Sequence, residues 1–416
     1  MQDLDFRLPA FESALAELPP SPGAAVAHDE HYWDLVRRLY DVAREPANLE
    51  QGYWGVMAEP VKAMFHHWTD RVNRENTLLV RDRWPALQEG VRQQVAQALG
   101  CATEEVALTR GASEAMFALI GGFNRLAPGD TVLYCDLDYP ATRNAMAWLR
   151  ERRGVVPVQI TMPEPASREG VIAAYAQALA QHPRTRLVLL THLSHSTGLV
   201  MPVRELSALA HEAGAQVIVD AAHSWGQLDF DAPDLGAPYA GFNLHKWAGA
   251  PLGNGCLYVK RGAVAGIDRW FGDRDWGEDD VRSRMHTGSP SFAAWLTLPA
   301  ALQLHRHIGA ATKEARLRAL RHHWVQRART LPGVQVLTPD DALSCGGITS
   351  FRLAGRTSET DNEALVRRLR DEHGVLTVRR EGPAAGQCVR VTPALHTTLA
   401  ELDRLVDGLR AITAAG

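Results

Sequence analysis

Residues 217–227 read VIVDAAHSWGQ, and residues 241–255 read GFNLHKWAGAPLGNG. The first stretch opens with consecutive apolar residues and reaches an acid, Asp220. The second places Lys246 after a short apolar run and before a glycine-rich tail. Consecutive apolar residues without alternation are typical of a strand buried on both faces. The pattern therefore predicts that Asp220 closes an internal strand and that Lys246 follows a second one.

The same pattern extends along the chain on both sides of these stretches. Short apolar runs alternate with amphipathic stretches of helical period, which predicts an α/β fold with a mostly parallel sheet covered on both faces. Ligands of such sheets bind beyond the carboxyl ends of the strands, so polar residues there are the candidates for chemistry. The predicted strands are 106–109, 131–135, 155–160, 186–191, 216–220 and 255–260, and the predicted helices are 113–125, 141–153, 171–181 and 203–213.

A second, smaller unit is expected towards the C-terminus. A long helical stretch follows Pro290 and is expected to be broken or kinked near Pro299 and Gly309. Beyond it the pattern favours a small α+β domain, with strands at 334–337, 348–353, 375–379 and 389–392 and helices at 358–372 and 398–412. The expected parts are an N-terminal segment packing on the small domain, 1–50, with a helix near 30–44, a large domain, 51–290, and a linking helix with the small C-terminal domain, 291–416.

Composition argues against several classes of protein. The 416 residues carry 44 Lys and Arg against 48 Asp and Glu, so no strong positive field favours nucleic acid or an anionic membrane. Five cysteines, an odd number without a CxxC pair, indicate neither a disulfide framework nor a metal site. We see no signal segment and no run of about 20 apolar residues, so we expect a cytoplasmic protein without a membrane partner.

Asp220 and Lys246 have the chemistry of a cofactor site. A fixed acid can keep a pyridine nitrogen protonated, and a lysine amine can form a Schiff base with an aldehyde. Taken alone, the acid is more often structural and the lysine more often solvated. Their joint motif resembles that of class V aminotransferases, in which Asp-x-x-His/Gln precedes (Ser/Asn)-x-His-Lys. The resemblance covers about residues 45–412 and implies pyridoxal 5′-phosphate (PLP) as cofactor and PLP fold type I, with a large domain of the seven-stranded α/β/α type.

The resemblance also assigns roles within the two stretches. It implies that Lys246 is the Schiff-base lysine and that Asp220 pairs with the protonated pyridine nitrogen. His223 is expected near the 3-oxygen of the ring, and Asn243 and His245 are expected near the phosphate. These five residues form the expected catalytic and cofactor-binding centre.

A phosphate site is expected upstream, where LTRGASEAM (108–116) passes from a strand into a helix. Backbone N–H groups at a helix N-terminus bind anions, and the Ser113 hydroxyl can add a donor. A simple N-cap serine is the alternative interpretation of this turn. Its similarity to the family's Thr-x-Gly-Ala-Thr/Ser-Glu loop favours the cofactor phosphate, with Gly111, Ala112 and Ser113 as its binding residues.

Three more residues are expected around the cofactor from the resemblance. Tyr139 follows a strand in CDLDYPAT (135–142), where the family has a ring that covers the cofactor face. His195 in THLSHSTG (191–198) stands where relatives have Asn or Ser, which leaves its role open. Thr287 matches a threonine that reaches the phosphate of the neighbouring subunit, which implies a homodimer with a shared active site.

The substrate end of the site is expected to be basic. Arg390 in CVRVTP (388–393) matches the family residue that binds the substrate α-carboxylate, a group that a planar guanidinium suits. Arg379, and Arg380 beside it, are candidates for a second acidic group. Tyr53 and Trp54 lie in a segment that lines the substrate pocket of the isopenicillin N epimerase-like group, where they replace small residues.

The resemblance implies an enzyme that acts on an α-amino acid or a group derived from one, and we favour aminotransferase-type chemistry on Lys246. Epimerisation normally requires a second base, for which Tyr53 and His195 are candidates. C–S β-elimination stays open, as does oxygen-dependent oxidative decarboxylation or deamination, which similarity to pyoverdine-tailoring PLP enzymes allows. A cysteine desulfurase is disfavoured because the loop 381–387 contains no cysteine and Cys388 opens the next strand. A non-catalytic PLP sensor is disfavoured by the intact lysine.

Overall fold

The computed structural model describes residues 8–20 and 23–414. Its N-terminal part is mostly helical and contains one short strand before the large sheet begins. Helix α2 begins after Asp29, whose carboxylate accepts hydrogen bonds from the first backbone N–H groups of the helix. The elements are α1 (Pro9–Glu17), α2 (Glu30–Arg38), β1 (Ala47–Asn48), α3 (Glu59–Glu75), α4 (Thr77–Asp82) and α5 (Trp84–Ala98).

A seven-stranded sheet forms the centre of the molecule, in the order β2-β8-β7-β6-β5-β3-β4. Strand β8 is antiparallel to both of its neighbours and the remaining pairs are parallel, so the predicted mostly parallel α/β fold is confirmed. The strands are β2 (Val106–Thr109), β3 (Thr131–Cys135), β4 (Val156–Ile160), β5 (Thr185–Thr191), β6 (Gln216–Asp220), β7 (Tyr239–Asn243) and β8 (Gly255–Val259). The helices between them are α6 (Ala112–Gly122), α7 (Pro140–Arg153), α8 (Arg168–Gln181) and α9 (Val203–Glu212).

The apolar strands are buried on both faces of the sheet. In β6, Val217 and Val219 pack into the core on one face, whereas Ile218 packs into a separate core on the other. This two-sided burial explains why the strand carries consecutive apolar residues instead of an alternating pattern. The register aligns Thr191, Asp220 and Gly241 across three neighbouring strands, so their carboxyl ends meet at one edge.

Two long helices, α10 (Phe292–Ile308) and α11 (Ala310–Ala328), follow the sheet. The expected interruption near Gly309 is confirmed, since this residue has a φ of 87° and separates the helices. A break at Pro299 does not occur, because α10 continues through this proline, while a kink there stays a prediction. Its position is fully buried where α10 packs against α3 and α5, and this packing holds the helix together across the missing N–H.

The C-terminal part contains a four-stranded antiparallel sheet in the order β12-β13-β10-β9. The strand expected at 375–379 is two short strands, because β11 pairs in parallel with β1 whereas β12 pairs with β13. Strands β1 and β11 form a separate two-stranded sheet, which joins the N-terminal segment to the C-terminal part. The elements are β9 (Val334–Val336), β10 (Thr349–Leu353), α12 (Glu359–His373), β11 (Val375–Leu376), β12 (Val378–Arg380), β13 (Cys388–Val391) and α13 (Leu399–Ala414).

Short 3-10 helices occur in the connections. Across the described ranges 8–20 and 23–414, no helix is both long and apolar enough to cross a membrane. All five cysteines are free thiols. The 3-10 helices are Gly23–Val26, Thr103–Glu105, Ala232–Leu235, Val264–Gly266 and Val281–Arg284.

Candidate active site

A cavity of about 590 Å³ opens at the carboxyl ends of the sheet strands. It brings together most of the residues predicted from the sequence, although they are spread over more than 300 positions of the chain. Trp54 and Thr287 do not line it. The predicted residues that do are Tyr53, Gly111, Ala112, Ser113, Tyr139, His195, Asp220, His223, Asn243, His245, Lys246, Arg379 and Arg390.

Lys246 lies just beyond the end of β7 and is largely buried. Burial lowers the pKa of its amine to about 7, although the Asp220 carboxylate acts in the opposite direction. The amine nitrogen is 2.9 Å from Nε2 of His223, whose pKa is held well below its usual range by burial and by Lys246. The indole N–H of Trp247 points at Nδ1 of the same ring at 3.5 Å, which favours a proton on Nε2. This tautomer donates to an uncharged lysine amine, the nucleophilic form.

Asp220 is the last residue of β6 and is 4% exposed. One carboxylate oxygen accepts from the backbone N–H of Ala222 at 3.0 Å. Burial raises the pKa of Asp220, while this hydrogen bond and the nearby Lys246 side chain counteract the rise. A second buried acid, Asp138, accepts from the Thr191 hydroxyl at 2.6 Å, and burial raises its pKa to about 7. Among the predicted site residues Asp220 is thus the acid that lines the cavity, together with Glu114 and Glu381, which were not predicted.

The start of α6 forms an anion site beside the lysine. Gly111 precedes the helix, and a Cβ on the neighbouring Gly255 would lie 2.5 Å from its Cα, so the strand and the loop meet only because Gly255 has no side chain. The side-chain oxygen of Asn243 accepts from the N–H of Ala112 at 2.8 Å, and so supports the loop. His245 donates from Nδ1 to the Asn254 carbonyl at 2.7 Å. The remaining N–H groups of the first turn are available to a phosphate.

Arg390 lines the same cavity, in the part that we call its substrate end, and is 1% exposed. Its Nη1 donates to the His195 carbonyl at 2.7 Å, and its Nη2 donates to Glu50 Oε1 at 2.5 Å. A Cβ on Gly52 would lie 2.8 Å from Nη2, so the backbone of this glycine packs directly on the guanidinium. Arg380 also donates to Glu50 Oε1, at 3.2 Å. Glu50 was missed in the sequence because this acid meets its arginines only through tertiary contacts.

Arg379 lines the cavity, but its guanidinium is directed at neighbouring side chains. It donates to the Gln387 amide oxygen at 2.7 Å and forms ion pairs with Glu359 and Glu363. Its positive charge is therefore compensated outside the substrate end of the cavity. The expected contact of Arg379 with a second acidic group stays a prediction.

Aromatic rings border the cavity. Tyr139 packs edge-on against His195, with ring centroids 5.2 Å apart. Burial holds the pKa of His195 well below its usual range, and its Nδ1 is a buried atom without a hydrogen-bond partner in the described part of the chain. Tyr53 and Trp54 form a second edge-on pair and are 68% and 48% exposed; Tyr53 lines the cavity, whereas Trp54 does not.

Comparison with known proteins identifies the family. A family model described as aminotransferase class-V matches residues 57–405. The chain belongs to the class-V aminotransferase family.

Its relatives within the class-V family have different activities. Isopenicillin N epimerase of Streptomyces clavuligerus is 29% identical over 79% of this chain and 85% of its own length. The enzyme of the same name from Amycolatopsis lactamdurans is 27% identical over 92% and 98%. A probable cysteine desulfurase of Methanothermobacter thermautotrophicus is 29% identical over 79% of each chain. Family membership alone therefore leaves the reaction open.

Solved structures of related fold support the architecture. A cystine C–S lyase in complex with cysteine persulfide has a TM-score of 0.77 at 22% identity, covering 88% of this chain and 98% of its own. A cysteine desulfurase from Escherichia coli has a TM-score of 0.77 at 20% identity, covering 92% and 98%. These similarities establish PLP fold type I for this class-V chain.

PLP is the cofactor of the class-V family, and the cavity has the groups that hold it. A lysine amine and a carboxyl lie at one end of the cavity, and the N-terminus of α6 offers N–H groups to a phosphate. Buried polar atoms without partners among the described residues, His195 Nδ1 and Arg390 Nε, belong to side chains that line the same cavity. The residues present therefore fit PLP together with an anionic substrate.

Thr287 lies apart from this class-V site. It lines a separate cavity of about 170 Å³ with His286, Trp84 and Trp295. Within one chain it meets none of the other predicted site residues. Its expected phosphate contact requires a second copy of the chain and stays a prediction.

Proposed function

We propose that this chain catalyses an aminotransferase-type reaction on an α-amino acid, with PLP as cofactor and Lys246 as the acid–base group. The observation that carries the proposal is the set of groups that line the cavity. A lysine amine of lowered pKa, a buried carboxyl and a buried guanidinium line it, namely Lys246, Asp220 and Arg390, and the last two both affect the pKa of the first. They are the groups needed at the reacting carbon, the ring nitrogen and the substrate carboxylate, respectively.

Each group has a distinct task in this proposal. PLP, when bound, supplies an electron-withdrawing ring that stabilises negative charge at the substrate Cα. Asp220 holds a proton at the ring nitrogen, and the α6 N-terminus binds the phosphate. Arg390 fixes the α-carboxylate and thereby orients the Cα–H bond. Lys246 removes the Cα proton and delivers it to the aldehyde carbon of the cofactor. Its lowered pKa, near neutrality, aids both steps.

Epimerisation is the second candidate reaction. The position of His195 in the cavity, as a neutral side chain, is the observation that favours it. Epimerisation normally requires a second base on the face opposite Lys246, and His195 is a largely buried, neutral imidazole in the same cavity. Isopenicillin N epimerases are among the relatives of the chain. Aminotransferase chemistry remains our choice because Lys246 alone is sufficient for it.

A scan of amino acids over the PLP-loaded protein tests the proposal. We expect a neutral α-amino acid to change the absorbance of the bound cofactor, and a 2-oxo acid to form in proportion to enzyme. Inversion of configuration in deuterated water without 2-oxo acid would establish epimerisation instead. Oxygen consumption during turnover would indicate oxidative chemistry. If no α-amino acid changes the spectrum, the proposed function is wrong.

The proposal excludes a desulfurase mechanism for this chain. That chemistry requires a mobile cysteine thiolate that receives the substrate sulfur. Cys388 is fully buried in β13, close to the backbone carbonyls of Ser196 and Arg380, and burial raises its pKa. The loop before it, 381–387, contains no cysteine. A thiol held in this way cannot reach an acceptor.

Cys388→Ala is therefore expected to keep at least about half of the wild-type turnover, because the change removes only one buried sulfur atom. No protein persulfide is expected after treatment with L-cysteine, as measured by mass spectrometry of the intact chain. Cys101→Ala is the control, since Cys101 follows α5 and lies outside both β13 and the loop before it. A persulfide on Cys388, together with loss of activity in Cys388→Ala only, would reverse this conclusion.

The proposal includes a homodimer. Thr287 occupies a site removed from the cavity of its own chain, and the family resemblance assigns it to the phosphate of a partner. Two symmetry-related copies would then complete each other's sites through the same surface.

A further inference from the structure

Glu50 joins two arginines at the substrate end of the cavity, in a cluster that we call the Arg380–Glu50–Arg390 triad. Its Oε1 accepts from Arg390 at 2.5 Å and from Arg380 at 3.2 Å. Its Oε2 accepts from the Thr392 hydroxyl at 3.3 Å. One carboxylate thus serves two guanidinium groups, so the triad retains a single net positive charge.

The backbone fixes Glu50 at this position. The segment that follows β1 runs parallel to the end of β13, where Thr392 donates its N–H to the Leu49 carbonyl at 2.8 Å. Gln51 in turn donates its N–H to the Thr392 carbonyl at 3.2 Å. The Glu50 N–H is bound by the Asn48 side chain at 2.9 Å. This hydrogen-bonded segment therefore holds the Glu50 carboxylate beside the two arginines.

The triad is shielded from water, so its charge matters. The side chains of Arg390, Glu50 and Arg380 are 1%, 15% and 25% exposed. Screening is weak at this depth, and one charge added or removed changes the binding of an anion strongly. The Nε atoms of both arginines are buried and have no acceptor among the residues that the structure describes. Both arginines line the cavity, and each guanidinium has five N–H donors of which at most two are bound among the described residues, so the triad has donors left for an incoming carboxylate.

The other arginines of this region are already compensated. Arg379 pairs with Glu359 and Glu363, and Arg143 pairs with Glu381. A second substrate carboxylate would therefore meet arginines whose charge is already balanced.

We propose that Glu50 sets the charge that this end of the cavity accepts, so that it selects amino acids with one carboxylate over amino dicarboxylates. The inference rests on the proposed function, in which Arg390 binds the α-carboxylate. One carboxylate balances the single net charge of the triad. A second carboxylate beside Arg380 is repelled by Glu50, whereas an amide, an ester or an apolar group in that place is tolerated.

The test measures the binding of propionate and succinate to the PLP-loaded protein by calorimetry, because neither acid has an amino group that can react. Wild type is expected to bind propionate more tightly than succinate. Glu50→Gln keeps the shape and an acceptor oxygen while it removes the negative charge. It should shift the ratio of the two affinities towards succinate by at least about tenfold.

A second variant changes the charge in the other direction. Arg380→Gln removes one positive charge from the partly exposed side of the triad, and should weaken propionate at least about threefold without shifting the ratio towards succinate. Glu45→Gln is the matched control, since Glu45 also accepts from an arginine, Arg404, at 2.6 Å but lies outside the cavity. It should leave both affinities unchanged.

The outcomes separate this inference from the proposed function. If Glu50→Gln retains PLP and leaves the affinity ratio within about twofold of wild type, the inference is wrong even where amino acids react. If Glu50→Gln no longer binds PLP, the inference is tested by Arg380→Gln alone. A shift of the affinity ratio of Arg380→Gln towards succinate then overturns the inference. If the ratio shifts as expected while no amino acid changes the cofactor spectrum, the proposed function fails and the charge selection stands.

Discussion

Lys246→Ala is expected to lower turnover by on the order of 10³-fold or more, because general acid–base catalysis alone contributes roughly 10²- to 10⁴-fold and the variant lacks the amine altogether. The variant should still bind PLP, since the α6 N-terminus and Asp220 remain in place. Borohydride reduction should leave PLP covalently attached to the wild-type chain but not to the variant. Peptide mass spectrometry should locate the attachment at Lys246.

Lys313 offers the control for this experiment. It is also a buried lysine, and burial lowers its pKa to about 7. Its amine, however, contacts the Trp247 carbonyl at 2.6 Å and His305 at 3.0 Å, and it does not line the cavity. Lys313→Arg should therefore keep attachment of PLP to Lys246. Attachment at Lys313, or near-normal turnover of Lys246→Ala, would contradict the assignment.

The large sheet was the part most open to prediction from sequence. Strands Val106–Thr109 and Thr131–Cys135 occur with the expected bounds, since strands buried on both faces carry unbroken apolar runs. Strand Tyr239–Asn243 is weakly marked by its sequence, YAGFN. A Cβ on Gly241 would lie 2.9 Å from Met116 Sδ, so helix α6 packs too closely for a larger residue. Here tertiary packing determines the residue against strand propensity.

The cavity was predictable where its residues belong to local motifs. Asp220, Lys246 and the loop at Gly111 each follow a strand that the sequence marks, and the parallel topology brings them to one edge. Glu50 has no such mark, because its ion pair with Arg390 joins residues 340 positions apart. The split of the strand expected at 375–379 was equally hidden, since it depends on pairing with the N-terminal strand Ala47–Asn48. The sequence alone does not show which residue, distant along the chain, a single side chain will contact.

Asp220→Asn is expected to have the second large effect. The carboxyl is 4% exposed, and loss of one partner from a buried charge pair costs roughly 3–5 kcal/mol. An asparagine amide cannot hold a positive charge at the ring nitrogen, so turnover should fall by about 10²- to 10⁴-fold. Equilibrium dialysis should show weaker retention of PLP, and stopped-flow absorbance should show slower removal of the Cα proton.

Asp130→Asn is the matched variant that makes this result specific. Asp130 is also a buried aspartate, 7% exposed, and it accepts from the backbone N–H of Ala127 at 2.8 Å. It precedes β3 and therefore lies at the amino ends of the parallel strands, opposite the cavity. Its substitution should reduce the unfolding temperature without changing turnover per bound PLP. Equal losses of turnover in both variants would mean that Asp220 acts through stability, and the role at the ring nitrogen would then be wrong.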